Sequence, residues 1–327
     1  MAEVRGPEVP VEVLQAFGLA EAAPRVIRGG ATNRHWLVTG AGRQLVLSQY
    51  HASRTAAAVE WGQALVHHAA GRGWPVAVPE ETGAGAATVS HDGRLWTVAP
   101  RLEGEPRNPD SVALANIHGR LLGRLHRDLA SFETMGQRPD LGKVWELDEW
   151  VRGADAGPFN DLLRTFSKDY PGLATEIRRQ RYRNLRELSR LKYPDLPDMP
   201  IHGDFQRGNL LWRDGQLSGL LDFDLCRRDA LVCDLAPLLV PFQPLDMRLA
   251  AALIEGYQSV RRLSSQEFEL LPALARASML AWVSFLLVEW RTNGLQPVAI
   301  ARTMTARFPA FDKAEAGFRA LGAVRAR

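Results

Sequence analysis

Two short runs of polar residues, 202–209 and 222–224, constrain this chain more than any other feature. They read HGDFQRGN and DFD, and the segment between them, 210–221, consists of two apolar runs around an Asp-Gly pair. An Asp-Gly pair between apolar runs is typical of a β-hairpin. Such a hairpin would turn the chain back on itself, so we expect Asn209 and Asp222, at its two ends, to lie close together.

The order and spacing of these residues predict a phosphoryl-transfer site, because H-x-D-x-x-x-x-N followed by D-F supplies a base and two metal ligands. Asp204 would accept the proton of an attacking hydroxyl, while Asn209 and Asp222 would hold Mg²⁺ against the phosphates of ATP or GTP. His202 would orient the loop rather than carry a proton. Isolated Asp and Asn residues more often cap helices or fill turns, so the prediction depends on the complete, ordered set.

The chain here resembles the family of small-molecule kinases that contains aminoglycoside phosphotransferases, choline kinases and homoserine kinases. That family has Gly after the catalytic-loop His, as at Gly203, where protein kinases usually have Arg, and a later Asp-Leu-Ala, here starting at Asp234. The resemblance covers about residues 20–295 and is most specific within 201–236. It implies that Asp234, together with Asp224, supports the catalytic loop without touching substrate.

The resemblance implies an α+β, two-lobed protein-kinase-like fold, with a small antiparallel-sheet N-lobe that has one main helix and a larger, mostly helical C-lobe. Alternating runs and helical periodicity agree with it. The elements expected in the first lobe are strands at 25–28, 35–38 and 44–48, a helix at 55–70, and two strands around 91–93. We predict a nucleotide-binding lobe at 1–103 and a catalytic and acceptor-binding lobe at 104–327.

The glycine pair at 29–30 looks like the phosphate-covering loop of the family. A lone glycine pair is more often a hairpin turn, but here it lies between two predicted strands, where backbone N–H groups and the Asn33 side chain could reach phosphate. By the same resemblance, the linker after the last strand would bind the nucleotide base. The residues assigned to the nucleotide are Gly29, Gly30, Thr32, Asn33, Ser48, Glu60, Arg101 and Leu102.

Ser48 departs from the family pattern, which implies a lysine at this position of the third strand. No lysine precedes Lys143, and Arg43 has the opposite strand parity. A cation–phosphate contact near 4 Å contributes on the order of 4 kcal/mol at an effective dielectric of about 20, against about 1 kcal/mol for a hydroxyl hydrogen bond. Arg28, Arg34 or Arg54 could compensate. The alternative is a kinase-like binding protein with weak or no catalysis.

The acceptor is harder to predict. The resemblance implies an aminoglycoside-like antibiotic or an amino-alcohol, and leaves a resistance role and a metabolic role equally open. An acidic and aromatic pocket would suit a cationic acceptor, and Asp148 and Glu149, or Trp282 and Glu289 seven residues apart on a late helix, could supply it. The alternative is that the tryptophans are core residues and the carboxylates are solvated.

Composition fits a globular protein with no membrane partner. Of 327 residues, 46% are hydrophobic and 24% charged, with a formal net charge of +3 and two cysteines, too few for a disulfide framework. No export signal is evident. The longest apolar run, 277–288, is too short to span a bilayer, so we expect a cytoplasmic monomer or homodimer. Arginines crowd a predicted helix at 173–191, where a solvated face is favoured over nucleic-acid binding.

Overall fold

The computed structural model describes residues 8–27, 33–40, 42–133, 136–146, 157–240 and 246–325. They form two compact units. The first comprises Met1–Glu105 and Leu210–Leu221, and the second Pro106–Asn209 and Asp222–Arg327. The hairpin segment 210–221 thus groups with the first unit, although the division at 103/104 predicted from the sequence places it in the second.

The first unit is built on a five-stranded antiparallel sheet in the order β1-β2-β3-β5-β4. Its elements are α1 (Val11–Ala16), β1 (Arg25–Ile27), β2 (Arg34–Gly40), β3 (Arg43–Gln49), α2 (Ala56–Gly71), β4 (Val89–His91) and β5 (Arg94–Pro100). These strands and the helix confirm the elements predicted for the first lobe. Thr55 caps α2, because its side chain accepts a hydrogen bond from the amide of Ala58.

One face of this sheet lines the apolar core of the first unit. Trp36 and Val38 of β2 and Leu45 and Leu47 of β3 alternate toward it and pack with residues of α1 and β5. Residues of the opposite parity face the other side of the sheet. His35 and Ser48 are direct cross-strand partners there.

The hairpin predicted between the two polar runs is present. Its strands are β8 (Leu210–Arg213) and β9 (Gln216–Leu220), and they lie in a three-stranded sheet of order β6-β8-β9 with β6 (Glu105–Pro106). Asp214 and Gly215 have φ angles of 51° and 78°, as a tight two-residue hairpin turn requires. The amide of Leu220 donates to the carbonyl of Pro75 over 2.8 Å, which ties the hairpin to the rest of the first unit.

The second unit is mostly helical, which confirms the α+β class. Its elements are α3 (Val112–Leu129), α4 (Phe159–Phe166), α5 (Pro171–Arg190), β7 (Met199–Ile201), β10 (Arg227–Asp229), α6 (Val232–Leu238), α7 (Met247–Gln258), α8 (Ser265–Asn293), α9 (Val298–Arg302) and α10 (Phe308–Arg325). Strands β7 and β10 pair in antiparallel register. Strand β7 leads into the catalytic loop, and β10 follows the segment that begins at Asp222.

Helix α8 contains the apolar run at 277–288 but extends well beyond it. By length and composition this 29-residue helix could cross a membrane, yet 83% of its most apolar window is buried within the protein. A core helix of a globular protein has the same properties. The apolar run is shorter than the helix because Arg276 precedes it. The side chain of Arg276 is nevertheless fully buried and pairs with Glu187 and Glu315.

The arginines of α5 are largely engaged within the second unit. Arg179 pairs with Glu176 at 2.6 Å, and Arg183 pairs with Asp312 at 3.0 Å and Glu315 at 2.8 Å. These pairs reduce the positive charge that the helix presents to solvent. They favour a structural role for the arginines over a nucleic-acid-binding face.

Helices α3 and α7 cross with their backbones in contact. A Cβ atom added at Gly119 would lie 1.9 Å from the carbonyl oxygen of Leu253, and one added at Gly256 would lie 1.9 Å from that of Asn116. Only glycine therefore fits at these two positions. The close approach also places residues near the C-terminal end of each helix within hydrogen-bonding distance of each other.

We expect Gly119→Ala to lower the free energy of unfolding by about 2–3 kcal/mol, because the added methyl group must push two backbones apart. Gly172→Ala is the matched control, since that helical position has nothing within 4 Å. The control should be neutral or stabilising by up to about 1 kcal/mol. Urea denaturation followed by circular dichroism measures both. Equal midpoints for the two variants would contradict the close crossing.

Candidate active site

The catalytic loop is held from behind by one buried carboxylate. The backbone amides of His202 and Gly203, which directly follow β7, each donate to Asp234 over 2.7 Å. Asp234 lies on α6 and is 1% exposed. A carboxylate that accepts two amide hydrogen bonds fixes the direction of both peptides, and hence where the loop begins.

Two residues from other helices complete the support of Asp234. His126 of α3 places Nε2 3.2 Å from the carboxylate, and its Nδ1 lies 2.8 Å from the hydroxyl of Tyr257 on α7. Burial acts to raise the pKa of Asp234, but the hydrogen bond and charge of His126 and the amide of His202 outweigh it. The pKa of Asp234 is therefore below its usual value, and the group stays ionised.

Gly203 is required by the local backbone. Its φ is +82°, and an added Cβ would lie 1.9 Å from the carbonyl oxygen of Leu225. A larger residue would collide with the segment that follows Asp222. This close contact accounts for glycine at the position where protein kinases usually have arginine.

Asp204 is half-buried and oriented by its neighbours. One carboxylate oxygen accepts from the side-chain amides of Gln206 (2.9 Å) and Asn209 (2.8 Å). Burial raises its pKa to about 6; these two hydrogen bonds act against the rise, and the nearby charges of Asp234 and Asp224 add to it. The group is thus ionised at neutral pH, yet basic enough to accept a proton.

The imidazole of His202 supports the loop from inside. It is fully buried, and its Nδ1 accepts from the amide of Asp204 over 3.2 Å. The ring packs against Phe223, with the ring centroids 4.5 Å apart. These contacts agree with the predicted orienting role.

Asn209 and Asp222 offer oxygen atoms. The side-chain nitrogen of Asn209 donates both to the carboxylate and to the carbonyl of Asp204, each over 2.8 Å, which leaves Oδ1 as the atom able to bind a cation. Asp222 is exposed and has a left-handed φ of 61°. Its Oδ1 accepts from the amide of Asp224 over 3.3 Å. Asp224 therefore touches the metal-ligand candidate through its backbone.

The sequence does not reveal two arginines that contact this segment. Arg138 donates to the carbonyl oxygens of Asp224 (2.7 Å) and Cys226 (3.0 Å), and Arg227 donates to that of Leu225 (3.1 Å). Neither arginine belongs to the kinase-like motif. The available signal is an Arg-x-Asp spacing at both places, which has no diagnostic value by itself.

In the first unit, Ser48 is hydrogen-bonded to its cross-strand partner on β2. Its hydroxyl lies 2.9 Å from Nδ1 of His35. Arg43 pairs with Glu80 at 3.0 Å, in keeping with its predicted orientation away from Ser48. Gly29, Gly30 and Thr32, together with Arg28, lie outside the described residues.

The remaining nucleotide candidates have contacts within the first unit. Asn33 is buried and accepts from the amide of His51 over 3.1 Å, which orders the chain just after the glycine pair. Glu60 is exposed on α2. Arg101 donates to the side chain of Gln44, and Leu102 is partly buried at the predicted linker. Their assignment to the nucleotide stays a prediction.

The predicted acceptor residues are divided between described and undescribed parts of the chain. Asp148 and Glu149 lie outside the described residues. Trp282 is 40% exposed and stacks on Phe285, and Glu289 accepts from the side chain of Asn293 over 2.7 Å. Trp282 is thus a surface residue rather than a core residue, and these contacts stay within α8. An acceptor-binding role for either residue remains a prediction.

The chain belongs to a known family, and its fold is that of solved members. The phosphotransferase enzyme family (APH) matches residues 24–276, and the chain belongs to that family of small-molecule phosphotransferases. It is 27% identical over 294 residues to the homoserine kinase of Gluconobacter oxydans (strain 621H), which covers 86% of this chain and 89% of that protein. The resemblance inferred from the motifs is thereby confirmed.

Solved structures agree on the fold. An amicoumacin kinase in complex with AMP-PNP and Ca²⁺ has a TM-score of 0.69 and 17% identity, covering 88% of each chain. A microcompartment-associated aminopropanol kinase has a TM-score of 0.68 and 17% identity, covering 95% of this chain and 97% of that one. The antiparallel sheet followed by a helical unit is therefore the architecture of kinases in this class.

We expect Asp204→Asn to stabilise the protein at pH 7. The folded-state pKa of about 6 lies above the ordinary aspartate value of 3.8, so folding opposes ionisation, and the penalty disappears as the pH falls from 6 to 4. Removing the charge should raise the free energy of unfolding at pH 7 by up to about 3 kcal/mol, since one pKa unit corresponds to about 1.4 kcal/mol. Asparagine keeps an oxygen for Gln206 and Asn209.

Thermal unfolding at pH 7 and pH 4 checks this prediction, with the exposed Asp195→Asn as control. The gain should be present at pH 7, small at pH 4, and absent from the control. A variant that is less stable than the parent at both pH values would contradict the raised pKa.

Proposed function

We propose that this protein transfers the γ-phosphate of ATP or GTP to the hydroxyl group of a small amino-alcohol in a Mg²⁺-dependent reaction. The observation that carries the proposal is the half-buried, oriented carboxylate of Asp204, in a loop fixed by Asp234. A cytoplasmic location, expected from the sequence, is part of the proposal. The oligomeric state stays open between monomer and homodimer.

The acceptor class is inferred from relatives that act on hydroxylated amines. The Gluconobacter protein is a homoserine kinase, and a structural neighbour is an aminopropanol kinase. Homoserine and aminopropanol share an amine and an alcohol on a short carbon chain. We therefore put homoserine-like amino-alcohols first and hydroxylated antibiotics second, whereas the sequence alone left both open.

The chemistry follows from the position of Asp204. Its ionised carboxylate binds the acceptor hydroxyl and takes its proton as the hydroxyl oxygen attacks the γ-phosphorus. The bond between the γ-phosphorus and the bridging oxygen breaks, and the nucleoside diphosphate leaves. Asn209 keeps the carboxylate in place through its side-chain amide, and His202 keeps the Asp204 peptide in place.

The side chains present suit Mg²⁺. Mg²⁺ prefers oxygen ligands and is usually held by one or two carboxylates together with substrate phosphates. Asp222 supplies a carboxylate and Asn209 supplies Oδ1. Within the described residues no group of three or more His, Cys, Asp or Glu is placed to hold a metal without substrate. When bound, the ion would neutralise charge on the β- and γ-phosphates.

A second candidate is a nucleotide-binding protein that catalyses little or no transfer. The observation that favours it is Ser48, whose hydroxyl is engaged by His35 where the family pattern implies a lysine. The oriented carboxylate of Asp204 favours the kinase, because nucleotide binding alone does not require a general base in the catalytic loop.

The proposal is tested by coupled detection of nucleoside diphosphate with Mg²⁺, ATP or GTP, and a panel of acceptors. The panel contains homoserine, aminopropanol, choline, and aminoglycoside, peptide, nucleoside and macrolide antibiotics. We expect turnover with an amino-alcohol, at least about 10²-fold reduced in Asp204→Asn because proton transfer is lost. Turnover retained in that variant would remove Asp204 as the base. Mg²⁺-dependent nucleotide binding without turnover on any acceptor would favour the binding protein.

We expect Ser48→Lys to tighten ATP binding about ten-fold or more, because an ammonium interacts with phosphate more strongly than a hydroxyl does. Isothermal titration with ATP and with adenosine measures it, and adenosine affinity should not change. Gln49→Lys is the matched control, since it adds the same charge on the opposite face of β3. An equal gain in the control would point to general electrostatic attraction instead of a contact at position 48.

A further inference from the structure

Three consecutive carbonyl groups follow the metal-ligand candidate Asp222, and each accepts a hydrogen bond from a buried guanidinium group. Arg138 Nη1 binds those of Asp224 (2.7 Å) and Cys226 (3.0 Å). Arg227 Nη1 binds that of Leu225 (3.1 Å). The backbone of this turn is thus held by side chains rather than by a strand partner, since β10 begins only at residue 227.

Each arginine is held in turn by an aspartate two residues further along the chain. Arg138 makes a two-point contact with Asp140 (2.7 and 3.3 Å). Arg227 donates from Nε and Nη2 to Asp229 (3.2 and 3.0 Å). All four side chains are buried. A buried charge is costly unless it is paired. Each arginine and its aspartate carry no net charge together, and the aspartate holds the guanidinium group in position to bind the turn.

The turn requires such support because of its conformation. Asp222 has a φ of +61°, a value that non-glycine residues seldom adopt. Its carboxylate is oriented by the amide of Asp224 (3.3 Å), the residue whose carbonyl Arg138 binds. Fixing the carbonyl side of residue 224 therefore restrains the atom that orients the Asp222 carboxylate.

Gly203 leaves the space that Arg227 uses. A Cβ atom at Gly203 would lie 3.0 Å from Nη1 of Arg227 and 1.9 Å from the carbonyl oxygen of Leu225. The guanidinium group thus reaches the catalytic loop and the Asp222 turn at the same point. The contact joins the two loops that carry Asp204 and Asp222.

We propose that Arg138 and Arg227 form a two-arginine clamp that positions Asp222 for metal binding. The inference rests on the proposed use of Mg²⁺ by this site. The arginines touch neither substrate nor metal in this role. They are positioning residues, and the loss of either should weaken metal binding while nucleotide binding without metal stays unchanged.

The test uses lysine variants, because lysine keeps the positive charge for the aspartate partner but cannot span two acceptors with a planar fork. Arg138→Lys and Arg227→Lys are compared with Arg228→Lys, a neighbour on β10 that donates instead to the carbonyl of Asp198 (2.7 Å). Mn²⁺ affinity is measured by electron paramagnetic resonance with saturating ADP. We expect about a ten-fold weaker affinity in both clamp variants, as for other residues that orient a metal ligand, and less than two-fold in the control.

Unchanged Mn²⁺ affinity in both clamp variants would overturn the proposal. If Arg138→Lys does not fold, the pair Arg138→Gln with Asp140→Asn replaces it, because it keeps a hydrogen-bonded partner without a buried charge. The same ten-fold loss of Mn²⁺ affinity is then expected, and an unchanged affinity would again overturn the proposal.

Amide hydrogen exchange of residues 222–226, without metal or nucleotide, separates the clamp from the proposed function. We expect exchange about ten-fold faster in the clamp variants than in the parent and the control. Unchanged exchange would overturn the clamp. If the parent protein binds no Mn²⁺ with ADP while the clamp variants still exchange faster than the parent, the proposed use of metal is contradicted. The arginines would then hold the turn without positioning a metal ligand, so the positioning role would be overturned as well.

Discussion

The buried carboxylate of Asp234 is the interaction on which the rest of the site depends. It accepts hydrogen bonds from the amides of His202 and Gly203 and is hydrogen-bonded to His126. The catalytic loop, α3 and α6 therefore meet at one charge. In a low-dielectric interior such a charge is costly without these partners. Because the catalytic loop, His126 and Asp234 come from three different parts of the second unit, this support for the loop forms only when that unit is folded. The base and its support are thus one cooperative assembly.

Features set by neighbouring residues could be predicted from the sequence. The Asp-Gly turn between β8 and β9 follows from backbone preferences of two residues, and the alternation in β2 and β3 follows from the period of a strand. The spacing of the motif predicted a loop that carries Asp204, and the resemblance based on that motif implied the family and the fold class.

Features set by distant residues could not be predicted. Arg138 lies far along the chain from the carbonyl groups it binds at Asp224 and Cys226, and no periodicity or spacing records such a contact. The bond between His35 and Ser48 joins two strands, so it appears only once the register of β2 and β3 is known. Arg276 precedes the apolar run at 277–288, and no local pattern indicates that its charge is neutralised inside the protein by carboxylates of α5 and α10.

The pairing of Arg276 shows how closely the last helix is tied to the rest of the second unit. The family match stops at Arg276, yet the side chain at this border is fully buried and binds Asp312 and Glu315 beyond it. Arg276 therefore shares its positive charge between Glu187, inside the matched range, and two carboxylates of α10 beyond it. Without α10, this buried guanidinium would keep only the carboxylate of Glu187, and an incompletely paired buried charge is costly. Helix α10 is in that sense part of the core of the second unit.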